Sequence, residues 1–173
     1  MWIRMVDGGR EWYRMVLSGK LGNQNITRML LGEYTHAIDD KNRVSLPSKF
    51  RKVLGKKLVI TPGLDNCLFL FTEKEWQKVS TKLSENASLL SSDMRSFVRF
   101  LYGGAYEAEV DGIGRILIPD FLRERSGLSG KVVLIGIQNR VEIWNEESWK
   151  AYKSKVEKGA DELAEKLSHL GLI

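Results

Sequence analysis

Two copies of one pattern decide the fold of this chain, and the first copy reads Tyr34-Thr-His-Ala-Ile-Asp39-Asp-Lys-Asn-Arg43-Val-Ser-Leu-Pro47. The second copy, 72 residues further on, reads Tyr106-Glu-Ala-Glu-Val-Asp111-Gly-Ile-Gly-Arg115-Ile-Leu-Ile-Pro119. Tyrosine, aspartate, arginine and proline keep their positions in both copies, and a later glutamate and tryptophan also recur. The sequence therefore predicts a duplicated module of about 70 residues.

Each copy predicts the same order of elements: strand, turn, strand, short helix, two strands and a longer helix. The first strands cover 33–39 and 105–111, and each ends in a turn containing Asn or Gly, which tolerate positive φ. The return strands stop at Pro47 and Pro119, whose fixed φ suits the first turn of a helix. The other predicted elements are the strands Val44–Leu46, Ile116–Ile118, Leu58–Ile60, Cys67–Phe71, Val132–Ile135 and Arg140–Trp144, the helices Ser48–Leu54, Asp120–Ser126 and Ser92–Tyr102, a helix that Thr72 caps, and a final helix broken near Gly159.

The repeat divides the chain into five parts, and each of its two modules is too small to bury much surface alone. We therefore expect an α+β fold in which the modules pack on each other about a pseudo-twofold axis. Residues 1–28 have no counterpart in the second copy. They are expected to be disordered or to reflect a start codon assigned too early, with a functional basic arm as the alternative. The predicted parts are 1–28 (extension), 29–88 (first module), 89–104 (connecting helix), 105–150 (second module) and 151–173 (C-terminal helix).

Composition and charge narrow the class of protein. The chain is 43% hydrophobic and 28% charged, as a globular protein is, and it has no apolar run near the roughly 20 residues that cross a bilayer. We expect no membrane partner. The single cysteine, Cys67, cannot form an internal disulfide, which fits a reducing cytoplasm. A net charge of +5 favours a polyanionic partner, and residues 41–57 hold seven basic side chains and no acidic one.

No arrangement of residues predicts catalysis, a cofactor, a metal ion or a small-molecule ligand. His36 and His169 lie far apart, have no cysteine partner and lack the spacing of metal ligands. Gly112 and Gly114 form a turn between strands rather than a phosphate-binding loop before a helix. We therefore expect that the chain is not an enzyme.

An aspartate precedes an arginine by four residues in both turns, so each pair can meet across the mouth of its turn. One interpretation of Asp39 with Arg43, and of Asp111 with Arg115, is a salt bridge that sets the turn geometry. The other interpretation is a rigid prong that presents the arginine to phosphates or to guanine, which a guanidinium binds bidentately. The basic residues around the first copy favour the second interpretation.

Four segments together resemble the MraZ family of bacterial transcriptional regulators, which are built from two AbrB-like modules. The segments are Gly32-Glu-Tyr with Asp39-x-x-x-Arg43-Val-Ser-Leu-Pro47, Gly63-Leu-Asp-Asn-Cys-Leu, Arg99-Phe with Gly103-Gly-Ala, and Asp111-x-x-Gly-Arg115-Ile-Leu-Ile-Pro119. The resemblance covers about 29–150. It implies duplicated AbrB-like swapped-hairpin β-barrel modules with flanking helices, and ring-shaped homo-oligomers. One departure is Asn42, which stands where the family usually has glycine.

The resemblance also implies a function: sequence-specific binding of double-stranded DNA at repeated sites upstream of the protein's own gene cluster for division and the cell wall. The expected effect is repression, and the expected location is the nucleoid. The residues predicted to contact DNA are Arg43, Lys41, Arg115, Lys49 and Arg51. The residues predicted to set the turns are Asp39, Asn42, Asp111 and Gly114.

A ring-forming scaffold whose basic face binds an acidic protein is the alternative hypothesis. The two functions differ in an observable way, because specific DNA binding weakens steeply with salt and depends on base sequence. We expect the first copy to provide most of the DNA affinity, because Arg115 is followed in sequence by Asp120 and Glu124 while Arg43 lies in the segment 41–57, which has no acidic residue.

Overall fold

A computed structural model describes residues 29–86 and 91–170. The expectation for the extension 1–28 lies outside these residues. The strands of the described part are β1 (Leu30–Ala37), β2 (Arg43–Ser45), β3 (Lys57–Pro62), β4 (Leu68–Thr72), β5 (Tyr106–Glu109), β6 (Arg115–Leu117), β7 (Lys131–Gln138) and β8 (Arg140–Asn145). Its helices are α1 (Ser48–Leu54), α2 (Glu73–Asn86), α3 (Ser92–Gly103), α4 (Asp120–Arg125), α5 (Glu146–Lys158) and α6 (Ala160–His169). The predicted α+β class is confirmed.

The two repeats exchange their first strands. Six strands form an antiparallel sheet in the order β1-β7-β8-β4-β3-β5, so β1 of the first repeat pairs with β7 of the second. In the same way β5 of the second repeat pairs with β3 of the first. The short strands β2 and β6 pair separately, as a two-stranded ribbon. The six-stranded sheet therefore needs strands of both repeats.

The larger of two hydrophobic clusters in the described residues lies between the ribbon, the short helices and the sheet. Val44 and Ile116 pair across the ribbon and are fully buried. Phe50 of α1 and Leu122 of α4 are also fully buried, as is Leu68 in β4. Burying one such side chain contributes about 1.5–3 kcal/mol. Because both repeats supply these residues, the core depends on the exchange.

Local signals placed most element ends within two residues of the observed ends. The Thr72 hydroxyl accepts a hydrogen bond from the Glu75 amide at 3.1 Å and opens α2 as a capping box predicts. The Asn145 side chain caps α5, and the last helix does break at Gly159. The first strand differs, since it begins at Leu30 rather than at 33. Pairing with β7 along its whole length extends it.

No helix of the described residues is long and apolar enough to cross a bilayer.

Candidate nucleic-acid interface

The first turn, residues 39–43, is held by one aspartate. The Asp39 Oδ1 atom accepts hydrogen bonds from the backbone amides of Lys41 (3.0 Å) and Arg43 (2.8 Å). The backbone amide of Asn42 donates to the Asp39 carbonyl at 3.0 Å, and Asn42 has a φ of 57°. Asparagine tolerates this left-handed conformation better than other residues with a side chain. The turn thus forms with Asn where glycine is usual.

The second turn, residues 111–115, repeats these contacts. The Asp111 Oδ1 atom accepts from the backbone amides of Ile113 (3.1 Å) and Arg115 (2.9 Å). The Gly114 amide donates to the Asp111 carbonyl at 3.0 Å, and Gly114 has a φ of 88°. The two turns are therefore the same structural unit, repeated.

Each aspartate also binds the arginine of its own turn. In the first turn, Nε and Nη2 of Arg43 both lie 2.8 Å from Asp39 Oδ2. Nε and Nη2 of Arg115 lie 2.8 Å from Asp111 Oδ2. The turns also meet, because Nη1 of Arg115 lies 3.6 Å from Asp39 Oδ2. Four charged side chains from both repeats thus form one cluster.

The two turns cross, and we refer to residues 39–43 and 111–115 together as the crossed turns. The Leu46 amide donates to the Gly114 carbonyl, and the Ile118 amide donates to the Asn42 carbonyl, both at 2.9 Å. In the ribbon Arg43 pairs with Leu117, and Ser45 pairs with Arg115. Each turn is therefore flanked by the return strand and short helix of the other repeat.

This crossing corrects the expected distribution of charge. Arg51 of α1 lies over the second turn, where its Nη1 atom donates to the Ile113 carbonyl at 3.3 Å. A Cβ atom on Gly114 would displace that guanidinium, and the φ of 88° also favours glycine there. The Asn42 side chain of the first turn donates to Asp120 at 2.8 Å. The expectation that the first copy binds DNA more strongly counted Asp120 near Arg115, whereas in space the Asp120 carboxylate also contacts the first turn.

The structure brings the predicted site residues to one region, with different exposures. Lys41, Lys49 and Arg51 are exposed, and the side chains of Arg43 and Arg115 are 29% and 23% exposed. Sequence reasoning missed the apolar side chains on this surface. These are Ile113, which is 69% exposed, Leu117, which is 45% exposed, and Phe121, which is 51% exposed.

The pKa values of both turn aspartates are lowered. The hydrogen bond from the Arg43 side chain, followed by that from the Arg43 backbone amide, lowers the pKa of Asp39 from 3.8 to about 2. At Asp111 the backbone amide of Arg115 is the main cause of a lowered pKa. Both carboxylates are ionised at neutral pH and bind the arginines by charge-assisted hydrogen bonds.

Acid is expected to destabilise the first turn. Because the pKa of Asp39 is lower in the folded protein, its contribution to stability is present above about pH 4 and is lost as the pH falls to about 2. Melting temperatures should therefore fall more steeply between these pH values for the wild type than for Asp39→Asn. Asp40→Asn, which removes an exposed neighbouring carboxylate, should keep the wild-type slope. Parallel curves for the wild type and Asp39→Asn would contradict the assignment.

We also considered metal-ligating and thiol side chains among the described residues. Within residues 29–86 and 91–170, no three His, Cys, Asp or Glu side chains are placed to hold a metal ion. Cys67 is buried, and burial raises the pKa of its thiol to about 12. This thiol is therefore protonated and unreactive at neutral pH.

Comparison with known proteins gives the family. A family model described as "MraZ protein, putative antitoxin-like" matches the chain twice, over 29–100 and 101–169, which confirms the duplication. The chain is 48% identical to a protein of Caldicellulosiruptor saccharolyticus, and 46% identical to proteins of Acetivibrio thermocellus and Caldanaerobacter subterraneus. Each alignment spans 144 residues, 83% of this chain and 100% of the relative, and all three relatives are named "Transcriptional regulator MraZ" rather than as enzymes. The chain belongs to the MraZ family.

Proposed function

We propose that this protein is a transcriptional regulator that binds double-stranded DNA through its crossed turns. The observation that carries the proposal is the pair of arginines, each held by an aspartate, with exposed cations around them. A held guanidinium suits bidentate contact with guanine in the major groove. Exposed side chains such as Lys41, Lys49 and Arg51 suit contact with phosphates.

The aspartates support this role because they orient the arginines without using all their donors. Asp39 binds Nε and Nη2 of Arg43, and Nη1 is left out of that pair. Holding the side chain in advance lowers the entropy that is lost when DNA binds. The basic surface is also shared, since Arg51 of the first repeat covers the turn of the second.

The assembly forms the finer part of the proposal. The exchanged first strands support an AbrB-like swapped-hairpin barrel, with modules 29–88 and 105–150 joined by 89–104. Exposed leucines along α6 and just after it support contacts between copies, in a homo-oligomeric ring; they are Leu163, Leu167 and Leu170. Such a ring would bind several repeated sites upstream of its own division and cell-wall gene cluster, repress it, and reside on the nucleoid. Each added contact multiplies the avidity.

A gel-shift titration tests the proposal against the alternative of a scaffold for acidic proteins. The duplex upstream of the protein's own gene should be bound about 1,000-fold or more tightly than a scrambled duplex of equal length and composition. Raising the salt from 50 to 200 mM should weaken binding steeply, by about a hundredfold or more. Equal affinity for both duplexes would reject sequence-specific regulation and leave the scaffold.

A further inference from the structure

The repeats differ at three equivalent exposed positions near the crossed turns. In the second repeat these positions are apolar and exposed by 69%, 45% and 51%, at Ile113, Leu117 and Phe121. In the first repeat, 72 residues earlier, the same positions hold Lys41, Ser45 and Lys49, which are also exposed. The repeat thus provides its own control, because the same backbone accepts polar residues at all three positions.

Packing within the chain does not explain the apolar side chains. Ile113 lies in the middle of the second turn, where the hydrogen bonds of the turn are made by Asp111 and by backbone groups. Leu117 lies in β6 on the face opposite the buried Ile116. Single exposed apolar residues are normal on a surface, but several of them in one region mark a binding site.

The crossing places an arginine beside two of these residues. Leu117 pairs with Arg43 in the ribbon, and the Ile113 carbonyl accepts a hydrogen bond from Arg51. Arginine is enriched at the centre of protein–protein interfaces, but lysine is depleted there, and exposed lysines, Lys41 and Lys49, stand at the equivalent positions of the first repeat. DNA instead offers phosphates and, in the major groove, the 5-methyl group of thymine. Alternating cations and apolar side chains therefore fit a DNA groove better than a protein surface.

We propose that Ile113, together with Leu117, recognises thymine by packing against its 5-methyl group. This inference rests on the proposed function and deepens it. The first repeat presents Lys41 to the phosphates, while the second repeat presents an apolar side chain at the same position to a base edge. The two turns then have different tasks, although the same hydrogen bonds build them.

Replacing thymine with deoxyuridine in the duplex tests the inference, because deoxyuridine pairs in the same way and lacks only the methyl group. The wild type should bind the substituted upstream duplex more weakly, by about fourfold for each contacted methyl group. Ile113→Lys, which gives the second turn the residue of the first, should lose most of this difference between the natural and substituted duplexes. Its salt dependence should be steeper by about one unit of slope.

Two control variants make the result specific. Leu64→Lys adds the same charge at a residue of similar exposure, 56%, in the β3–β4 loop, and should keep the wild-type preference for thymine. Leu117→Ser, which copies the first repeat, should lose part of that preference. A sizing column run on each variant reports whether the assembly is unchanged.

The outcomes separate this inference from the proposed function. If the natural duplex is bound specifically and the wild type binds the deoxyuridine duplex equally well, the thymine contact is wrong and DNA regulation stands. The thymine contact is also wrong if Ile113→Lys keeps the full preference for thymine, or changes only the assembly, since Ile113 would then be a contact between proteins. If no duplex is bound specifically, both proposals fail.

Discussion

Replacing Arg43 with alanine is expected to weaken binding to the upstream duplex by about 10- to 100-fold. The variant loses a bidentate contact with guanine and one charge near the phosphates. The fold should remain, because a partly exposed ion pair contributes only about 0–1 kcal/mol and the Asp39 carboxylate keeps its bonds to backbone amides. Gel shifts should therefore change while the free energy of unfolding, measured by denaturant titration, stays within about 1 kcal/mol.

Two matched variants show what Arg43 contributes. Arg43→Lys keeps the charge and loses the planar fork, so it should retain non-specific affinity and lose preference for the natural sequence. Arg115→Ala should weaken binding less, because Arg115 lies near both aspartates and has apolar Ile113 rather than a lysine in its turn. A larger loss in Arg115→Ala, with assembly intact on a sizing column, would assign the main contact to the second turn.

Gly136→Ala is expected to destabilise the protein by about 3 kcal/mol, because the added methyl group would push apart the exchanged strand β1 and its partner β7. Gly136 is buried in β7, and an added Cβ atom would lie 2.5 Å from the Leu30 carbonyl carbon and 2.6 Å from the Leu31 nitrogen. Those atoms belong to the backbone of β1, which cannot move away without breaking its pairing with β7. Denaturant titration should show the loss.

Gly103→Ala is the matched control, because a Cβ atom there meets nothing within 4 Å. It should leave stability unchanged or raise it slightly, since a helix favours alanine over glycine.

Hydrogen exchange gives a second measurement on Gly136→Ala, whose β1 amides should exchange faster than those of the wild type. Stability within about 0.5 kcal/mol of the wild type would mean that β1 does not pair with β7 as described.

Local chemistry made much of this fold predictable from the sequence. Helix Ser48–Leu54 was predicted with the ends that the structure has, because a proline precedes it and Gly55 follows it with a φ of 77°. The two turns were predicted from repeated spacing and from Asn or Gly at the left-handed position. Each of these signals acts within about five residues, so it does not depend on how the repeats are arranged.

Local patterns did not predict the exchange of elements between repeats, which only the resemblance to swapped-hairpin modules suggested. Two copies with one hydrophobic pattern can pair within a repeat or between repeats, and the pattern of buried and exposed positions is identical in both cases. The register of Leu30 against Gln138, and the contact of Arg51 with the second turn, therefore required the structure. The contact of Asp120 with the first turn also follows from the exchange.

The candidate site was only partly visible in the sequence. Its charged residues stood out because they break the apolar pattern. Ile113 and Leu117 did not, since an apolar residue near a strand is normally assigned to the core. Comparing the copies position by position was the available signal, because Lys41 and Ser45 occupy the same positions in the first repeat.

Crosslinking from single cysteines tests most directly whether the crossed turns face DNA. A benzophenone maleimide would be attached to Lys41→Cys, Ile113→Cys or Leu64→Cys, and the buried thiol of Cys67 should escape labelling. Leu64 follows β3 at the end remote from Lys57, about 17 Å along the strand. Lys57 pairs with Glu109 just before the second turn.

Irradiation with the upstream duplex should give protein–DNA crosslinks from positions 41 and 113 and none above background from position 64. A scrambled duplex should abolish the crosslinks from both turns at the same protein concentration. Crosslinks from position 64 without any from 41 and 113 would contradict the account, because DNA would then bind a surface other than the crossed turns.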